Sequence, residues 1–220
     1  YPDPRREFLV EKAEYGKQVT VASVVGAEGE IFHAPGLCDV VTAKEIARND
    51  SFLAFRVLPG NKGDEVEKKV QKVLDQAIKD LGVKNALVHS ELIICDDGSI
   101  KLIEIAARVG GYRAKMYEHA YGVNLHKLLF RLVLKKEEPE FILKGHKFVS
   151  VSEIFPTEEG AYKRLVDHRF LVQKGDEIGK ARDGHKRILD FMLEGESYEE
   201  VFERSLELQK VLTVLTEESE

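Results

Sequence analysis

Two glutamates, Glu91 and Glu104, have the spacing in this chain that most directly suggests chemistry. Residues 86–95 and 99–105 read as adjacent strands, and Asp97-Gly98 between them is a strong signal for a two-residue turn. That turn pairs residue 91 with residue 104, so the two carboxylates share one sheet face with their Cβ atoms about 5 Å apart. Like charges at that distance repel, and a divalent cation relieves the repulsion. Because Mg²⁺ commonly takes one or two carboxylates together with phosphate oxygens, the pair predicts a magnesium–nucleotide site.

The segment after Glu104 supports this prediction. Arg108 lies four residues further on, and Gly110-Gly111 follows it. A guanidinium group offers a fixed charge and planar donors that suit a phosphoryl or acyl-phosphate group in transfer. Glycines allow a backbone to approach a ligand closely. Two alternatives stay open, because a three-residue loop would shift the pairing by one position and a solvated strand pair would let the two glutamates splay apart.

Two neighbours of these residues also have two interpretations. His89 points to the same strand face as Glu91, where it would contact phosphates or hydrogen-bond within the sheet. Tyr112-Arg113 follows the glycines and would bind a substrate carboxylate or pack as a loop on the sheet edge.

The elements that position these residues alternate between strand and helix patterns. Apolar residues recur at three and four over 64–81, which predicts an amphipathic helix that Asp64 caps and Gly82 ends. Strands are predicted at 18–25, 30–34 and 52–58, a short helix at 43–49, and a further helix at 124–134. Helices packed on one face of a mostly antiparallel sheet give an α+β lobe.

A charged segment, 135–140, interrupts the pattern and predicts a linker. The expected organisation is therefore one lobe over residues 1–138 and a small α+β subdomain over 139–220. Strands at 148–155 and 164–172, a turn at 174–176 and a helix at 197–215 build the second unit, to which we assign a packing role.

These residues resemble the ATP-grasp superfamily, whose second lobe carries a glutamate on one strand and a Glu-x-Asn-x-Arg-x-Gly-Gly run on the next. Here the two stretches read His89-Ser90-Glu91 and Glu104 to Gly111, with Ala106 in place of the asparagine. This form looks most like the carboxylate-amine ligase branch that includes amino-acid ligases. The resemblance implies ATP and Mg²⁺, with Mn²⁺ as the alternative ion, held by Glu91 and Glu104. It also implies that Arg108 is catalytic and stabilises the acylphosphate transition state. Ala106 implies that a second metal is held with more water or bound weakly.

A stretch near the amino terminus fits the same resemblance. In the family a hinge lies along the adenine edge, and by resemblance the backbone groups of Glu11, Lys12, Ala13 and Glu14 bind the base. The family's ribose-binding carboxylate corresponds here to Gln18, whose amide accepts a hydroxyl proton more weakly than a carboxylate does. Taken alone, Glu11 and Glu14 are charged residues at a strand end.

The resemblance covers about residues 8–134 and implies a specific activity. We expect an ATP-dependent ligase that joins a small-molecule carboxylate to an amine or thiol through an acylphosphate. The family's first lobe has no counterpart here, so a missing amino-terminal lobe is expected, on the same polypeptide or on a separate subunit. The chain is accordingly expected to be the carboxy-terminal lobe of an ATP-grasp domain. Alternatives are a non-catalytic nucleotide-binding or regulatory subunit, which Ala106 and Gln18 favour, and an enzyme like biotin carboxylase or carbamoyl phosphate synthase.

Composition limits the remaining classes. The chain is 43% hydrophobic and 33% charged with a net charge of -6, which is typical of one large or two small globular domains. No apolar run approaches the roughly 18 residues that span a bilayer, so no membrane partner is expected. Its two cysteines are too few for a disulfide framework, which favours the cytoplasm. The acidic balance argues against a nucleic-acid partner, and a homodimer stays open.

Overall fold

The computed structural model describes residues 10–47, 53–154, 160–164, 169–170, 177–178, 189–211 and 215–217. The strands are β1 (Gly16–Val25), β2 (Ile31–His33), β3 (Cys38–Thr42), β4 (Leu53–Leu58), β5 (Ala86–Cys95), β6 (Ile100–Ala106), β7 (Phe148–Ile154), β8 (Gly160–Arg164), β9 (Arg169–Phe170), β10 (Glu177–Ile178), β11 (Leu189–Gly195) and β12 (Leu215–Glu217). The helices are α1 (Asp64–Asp80), α2 (Arg113–Tyr121), α3 (Leu125–Lys135) and α4 (Tyr198–Val211), with a 3₁₀ turn at Lys44–Ile46.

Most of the described strands join one antiparallel sheet. Its order is β6-β5-β1-β3-β4-β7-β11-β9, with β2 paired to β1, and a second sheet has the order β10-β8-β12. The central pair is β1 and β5, which align over ten residues from Gly16 opposite Cys95 to Val25 opposite Ala86. Helices pack against this sheet, so the predicted α+β class is confirmed.

Strand β1 divides the core because alternate side chains point to opposite faces. Val19 and Val21 pack with Leu74 and the rest of the α1 stripe. Ala22 and Val24 point the other way and pack against α2 and α3. Both faces of the central strands are therefore covered along much of their length, and Glu91 lies on the face that α2 and α3 share.

A third apolar cluster joins helix α4 to the sheet. Phe55 of β4 packs with Val201 and Phe202 of α4, and the Phe55 and Phe202 rings meet edge to face at 5.2 Å. Strand β7 pairs with β4 through Phe55 opposite Ser152. Strands from both sides of residue 138 thus share one sheet, and the division into two units at that position stays a prediction.

Several local predictions need correction. Asp64 is the first residue of α1 rather than its cap; Gly63 is the cap and makes no side-chain capping bond. The predicted helix at 43–49 is a 3₁₀ turn at Lys44–Ile46, and its later part lies outside the described residues. Strand β3 was not predicted. Helix α2 was not predicted either, because it buries Arg113 and its apolar pattern is weak.

Other predictions agree or lie outside the described residues. Helix α3 begins where expected, with the Asn124 side chain accepting a hydrogen bond from the Lys127 backbone N–H at 2.9 Å. Parts of the strand predicted at 164–172, the turn at 174–176 and the end of the helix predicted at 197–215 are outside the described residues. Within the described part of the chain, none of the helices is long and apolar enough to cross a membrane.

A buried carboxylate ties α4 to the sheet, and this contact is testable. The Asp39 side chain is buried, and its Oδ2 accepts hydrogen bonds from the Tyr198 hydroxyl at 3.0 Å and the Asn61 N–H at 3.2 Å. We expect Tyr198→Phe to lower the free energy of unfolding by about 1–3 kcal/mol, since it removes a donor from a buried charge. Urea denaturation measures this loss. Tyr15→Phe, at an exposed ring, is the control, and an equal effect in both variants would contradict the prediction.

Candidate functional site

The hairpin that carries both glutamates closes differently from the prediction. Cys95 N–H bonds to the Ser99 carbonyl at 2.8 Å, and Gly98 N–H bonds to the Cys95 carbonyl at 2.9 Å. The loop therefore has three residues, with Gly98 at φ 78°, a conformation that glycine adopts without strain. Near the loop Ile94 lies opposite Ile100, one position away from the predicted register. The prediction of a two-residue turn is wrong.

A β-bulge restores the predicted pairing of the glutamates. The register shifts between Glu91 and Leu92, so that Leu92 lies opposite Leu102 whereas Glu91 lies opposite Glu104. The extra residue on β6 cancels the extra residue in the loop. Glu91 and Glu104 are therefore cross-strand neighbours, as the sequence predicted, although by another route. Bulges re-aim side chains and are frequent beside functional sites.

Glu91 is held by two neighbours on its face of the sheet. Its Oε1 lies 3.0 Å from His89 Nε2, and its Oε2 accepts a hydrogen bond from the Gln18 side-chain amide at 3.0 Å. The hydrogen bond with His89 lowers the pKa of Glu91 below its ordinary value, although partial burial acts in the opposite direction. The side chain is 25% exposed, so an ionised and oriented carboxylate reaches the surface.

His89 itself is buried, and Gly110 makes room for its ring. Only 5% of His89 is exposed, and its Nδ1 has no hydrogen-bond partner among the described residues. A Cβ atom at position 110 would lie 2.5 Å from that Nδ1, so only glycine fits there. The sequence predicted that a ligand approaches this glycine closely, and in the structure the His89 ring is the group that does so. Of the two predicted contacts of His89, with phosphates or with a neighbour in the sheet, the structure shows the second, with Glu91.

Glu104 and Arg108 are more exposed and lie together. Arg108 Nη2 is 3.5 Å from Glu104 Oε1, with side chains 61% and 50% exposed respectively. Its Nη1 also donates to the Val109 carbonyl at 3.2 Å. An exposed ion pair of this kind contributes little to stability, so either partner can exchange it for a ligand at small cost.

Arg113 is a functional candidate that the sequence only partly indicated. It is 2% exposed, and its Nε donates to the Thr20 hydroxyl at 2.8 Å. Thr20 lies directly opposite Glu91 in the β1–β5 pair, so the guanidinium group stands beside that carboxylate. No described carboxylate lies within ion-pair distance of it, and its attraction helps to lower the pKa of Glu91. Arg56 acts on Glu91 in the same sense. The sequence indicated Arg113 only as a residue after the glycines, and its place beside Glu91 follows from its contact with Thr20 of β1.

The residues of the predicted hinge, 11–14, lie just before β1. Glu11, Lys12 and Ala13 are exposed, Glu14 is half-buried, and Lys12 Nζ lies 3.7 Å from Glu14 Oε1. Between described residues, the backbone groups of 11–14 make no hydrogen bonds, and their role in adenine binding stays a prediction. Gln18, two residues into the strand, donates from its Nε2 to Glu91, and its role in ribose binding stays a prediction.

The donor set at this site fits a hydrated hard cation. Within the described residues, no three His, Cys, Asp or Glu side chains gather closely enough to enclose a metal. Glu91 and Glu104 are opposed carboxylates, one ionised and oriented, the other exposed. Two carboxylates with phosphate and water oxygens match the coordination that Mg²⁺ prefers.

Comparison with known proteins identifies the fold. No protein-family model matches the sequence, and no curated protein matches it. Among solved structures, L-amino acid ligase from Bacillus licheniformis is similar at a TM-score of 0.74 and 17% identity, over 92% of this chain and 52% of that one. Phosphoribosylglycinamide synthetase from Anaerococcus prevotii is similar at 0.70 and 18%, over 92% and 54%.

A third similar structure was solved with a nucleotide. It is the biotin carboxylase domain of Hydrogenobacter thermophilus 2-oxoglutarate carboxylase, in complex with MgADP, ADP and bicarbonate. The TM-score is 0.64 at 16% identity, over 91% of this chain and 46% of that one. The chain spans about half the length of the solved structures it matches. It has the fold of that part of the ATP-grasp ligases, so the predicted resemblance is confirmed at the level of fold.

The contact between His89 and Glu91 gives a prediction about pH. Because its folded-state pKa is lowered, Glu91 stabilises the fold above its unfolded pKa of about 4.5, and this contribution is lost as pH falls through the folded value. We expect His89→Ala to raise the pKa of Glu91, as followed by carboxyl-carbon NMR during an acid titration. His126→Ala, at an exposed histidine of α3, is the control. An unchanged Glu91 pKa in His89→Ala would show that another group sets it.

Proposed function

We propose that this chain carries the magnesium–nucleotide half-site of an ATP-dependent ligase that joins a small-molecule carboxylate to an amine through an acylphosphate. The observation that carries this proposal is the opposition of Glu91 and Glu104 on one sheet face, produced by the β-bulge. Two directly opposed carboxylates repel, and a cation bound between them relieves this repulsion.

The comparisons support the choice of ligand. The biotin carboxylase domain was solved with MgADP, and the two other similar proteins described above are named as a ligase and a synthetase. For this chain we therefore propose ATP with Mg²⁺, and Mn²⁺ as the alternative ion. Glu91 and Glu104 would hold the ion, which supplies charge neutralisation for the phosphates when bound.

The residues of this chain have separate tasks in the proposed reaction. Hydrogen bonds from Gln18 and His89 fix the direction of the Glu91 carboxylate before the nucleotide arrives. Arg108 leaves Glu104 and stabilises the negative charge of the phosphoryl group in transfer, which a guanidinium group does without changing protonation. The backbone groups of Glu11 to Glu14 hold the adenine. The work is positional and electrostatic, so no side-chain nucleophile is needed.

The proposal includes a second lobe that faces this sheet. The matched structures are about twice the length of this chain, and the phosphates would lie between the two lobes. That lobe would supply cations to the triphosphate, either on the same polypeptide or on another subunit. The acid and amine substrates would be contacted by both lobes.

Calorimetric titration of ATP, with and without Mg²⁺, tests the site. We expect Glu91→Gln and Glu104→Gln each to weaken Mg-ATP binding by at least about tenfold, which corresponds to 1.4 kcal/mol. Both variants should remain folded by circular dichroism. Glu104→Gln removes one of two repelling charges, whereas Glu91→Gln also loses the stabilising contact of the ionised Glu91 with His89. Glu118→Gln, at an exposed residue of α2, is the control. If both variants bind Mg-ATP as tightly as the parent chain, the proposed metal site is wrong.

A second candidate function is a non-catalytic nucleotide-binding or regulatory subunit. The observation that favours it is Gln18, an uncharged amide at the position of the family's ribose-binding carboxylate, whose Nε2 donates to Glu91. Ala106 adds to it, since this position offers no side-chain oxygen for a second metal. ADP formation by the full-length gene product, with carboxylate and amine supplied, separates the two. Mg-ATP binding without ADP formation would favour the regulatory subunit.

A further inference from the structure

A cavity of about 460 Å³ lies at the end of α2 that is farthest from Arg113. Its walls come from the β2–β3 loop, the turn after β4, the first turns of α1, the end of α2 and the segment that follows α3. Because an α-helix rises about 1.5 Å per residue, Tyr121 at this end of α2 stands about 12 Å along the axis from Arg113. The cavity shares no lining residue with the proposed nucleotide site, and its volume is typical of small-molecule sites.

Glu67 places a carboxylate in this cavity without a cationic partner. Its Oε1 accepts hydrogen bonds from the Gly36 N–H at 3.0 Å and from the Gln71 side-chain amide at 3.2 Å, and both donors are neutral. Partial burial raises the pKa of Glu67, and the negative charge of Asp64 acts in the same sense. Among the described residues no positive group offsets this shift, because Glu67 makes no ion pair with any of them.

The lysines that line the cavity do not supply the missing positive charge. Lys68 Nζ lies 3.0 Å from Glu65 Oε1, so its charge is already paired. Lys62 is exposed, as is Asp64, and the two contribute opposite charges to the rim. The interior of the cavity therefore keeps the negative charge of Glu67.

Tyr121 and His146 give the cavity a hydroxyl group and an aromatic surface. A Cβ atom at Gly36 would lie 2.6 Å from the Tyr121 hydroxyl oxygen, so this hydroxyl reaches the same glycine that Glu67 binds. It makes no hydrogen bond with a described residue. Burial and the charge of Glu67 raise the pKa of Tyr121, so the group stays a neutral hydroxyl with lone pairs that can accept. The His146 ring centre lies 5.7 Å from that of Tyr121. An apolar wall is completed by Pro35, Pro59 and Leu143.

We propose that this cavity binds a small organic cation, a primary amine with an apolar body, whose ammonium group donates to Glu67 Oε2 and to the Tyr121 hydroxyl oxygen. A partly buried carboxylate without a cationic partner gains most from a ligand that brings a positive charge. An anion would be repelled by Glu67 and Asp64, and a neutral ligand would leave the carboxylate uncompensated. The body of the amine would pack on the apolar wall and on His146. This inference goes beyond the proposed function and does not depend on it.

Titration of 2-phenylethylamine into the chain without ATP, followed by calorimetry, tests the cavity. Two further probes have nearly the same shape and another charge: 2-phenylethanol is neutral and 3-phenylpropionate is an anion. We expect the amine to bind and each of the other two probes to bind at least about tenfold more weakly. Amide NMR signals of Gly36 and Gln71 should shift on addition of the amine, because both groups donate to Glu67.

Two variants separate the charge of the cavity from its shape. Glu67→Gln should weaken binding of 2-phenylethylamine at least about tenfold and abolish its advantage over 2-phenylethanol, since the glutamine oxygen still accepts from Gly36 but carries no charge. Tyr121→Phe should weaken the amine by about three- to tenfold, the effect of one hydrogen bond. Asp80→Asn, at an exposed carboxylate near the other end of α1, is the matched control, and circular dichroism checks that each variant is folded.

The outcomes separate this inference from the proposed function. No heat from 2-phenylethylamine up to roughly 10 mM, equal binding of the amine and the alcohol, or equal affinity in Glu67→Gln and the parent chain would each overturn the amine site. Loss of amine binding in Glu91→Gln with binding intact in Glu67→Gln would place the amine on the glutamate pair and overturn it as well. None of these results changes the titration of Mg-ATP, and failure of Mg-ATP to bind would leave the amine site standing.

Discussion

The ten-residue alignment of β1 with β5 is the constraint on which the rest of the molecule depends. Each residue of β1 has one face assigned to it, so Val19 and Val21 must point to α1 while Gln18 and Thr20 point to the opposite face. A slip by one residue would exchange these faces and place polar groups beneath α1. The apolar core thus fixes which side of the sheet the polar residues occupy.

On that opposite face, the position of Glu91 is decided by packing as well as by pairing. The loop and the bulge of the β5–β6 hairpin each add one residue, and their offsets cancel at Glu91 and Glu104. His89 then needs the space that Gly110 leaves, which couples the orientation of Glu91 to the turn before α2. A substitution at this glycine would therefore disturb the carboxylate without touching it.

Charge is arranged on this face in a way that suits an anionic ligand. Arg113 is buried without a carboxylate partner among the described residues, and Arg108 is exposed at the same turn. A buried cation is costly unless something compensates it, and a polyphosphate beside Glu91 would do so.

The sequence by itself determined the parts of this protein that follow from local periodicity. Alternating strands, the α1 stripe and the hairpin were readable, and with them the opposition of Glu91 and Glu104, since side-chain period and turn signals act over a few residues. The sequence did not reveal the three-residue loop and its bulge, because each alone is only a one-residue change whose consequence depends on the other. It also missed α2, which is held by buried contacts of Arg113 and Met116 with distant strands rather than by an amphipathic pattern. Only tertiary structure brought Arg113 to Thr20 and Tyr112 to Asp190, because those neighbours are tens of residues apart in the chain and are chosen by how helices pack on the sheet.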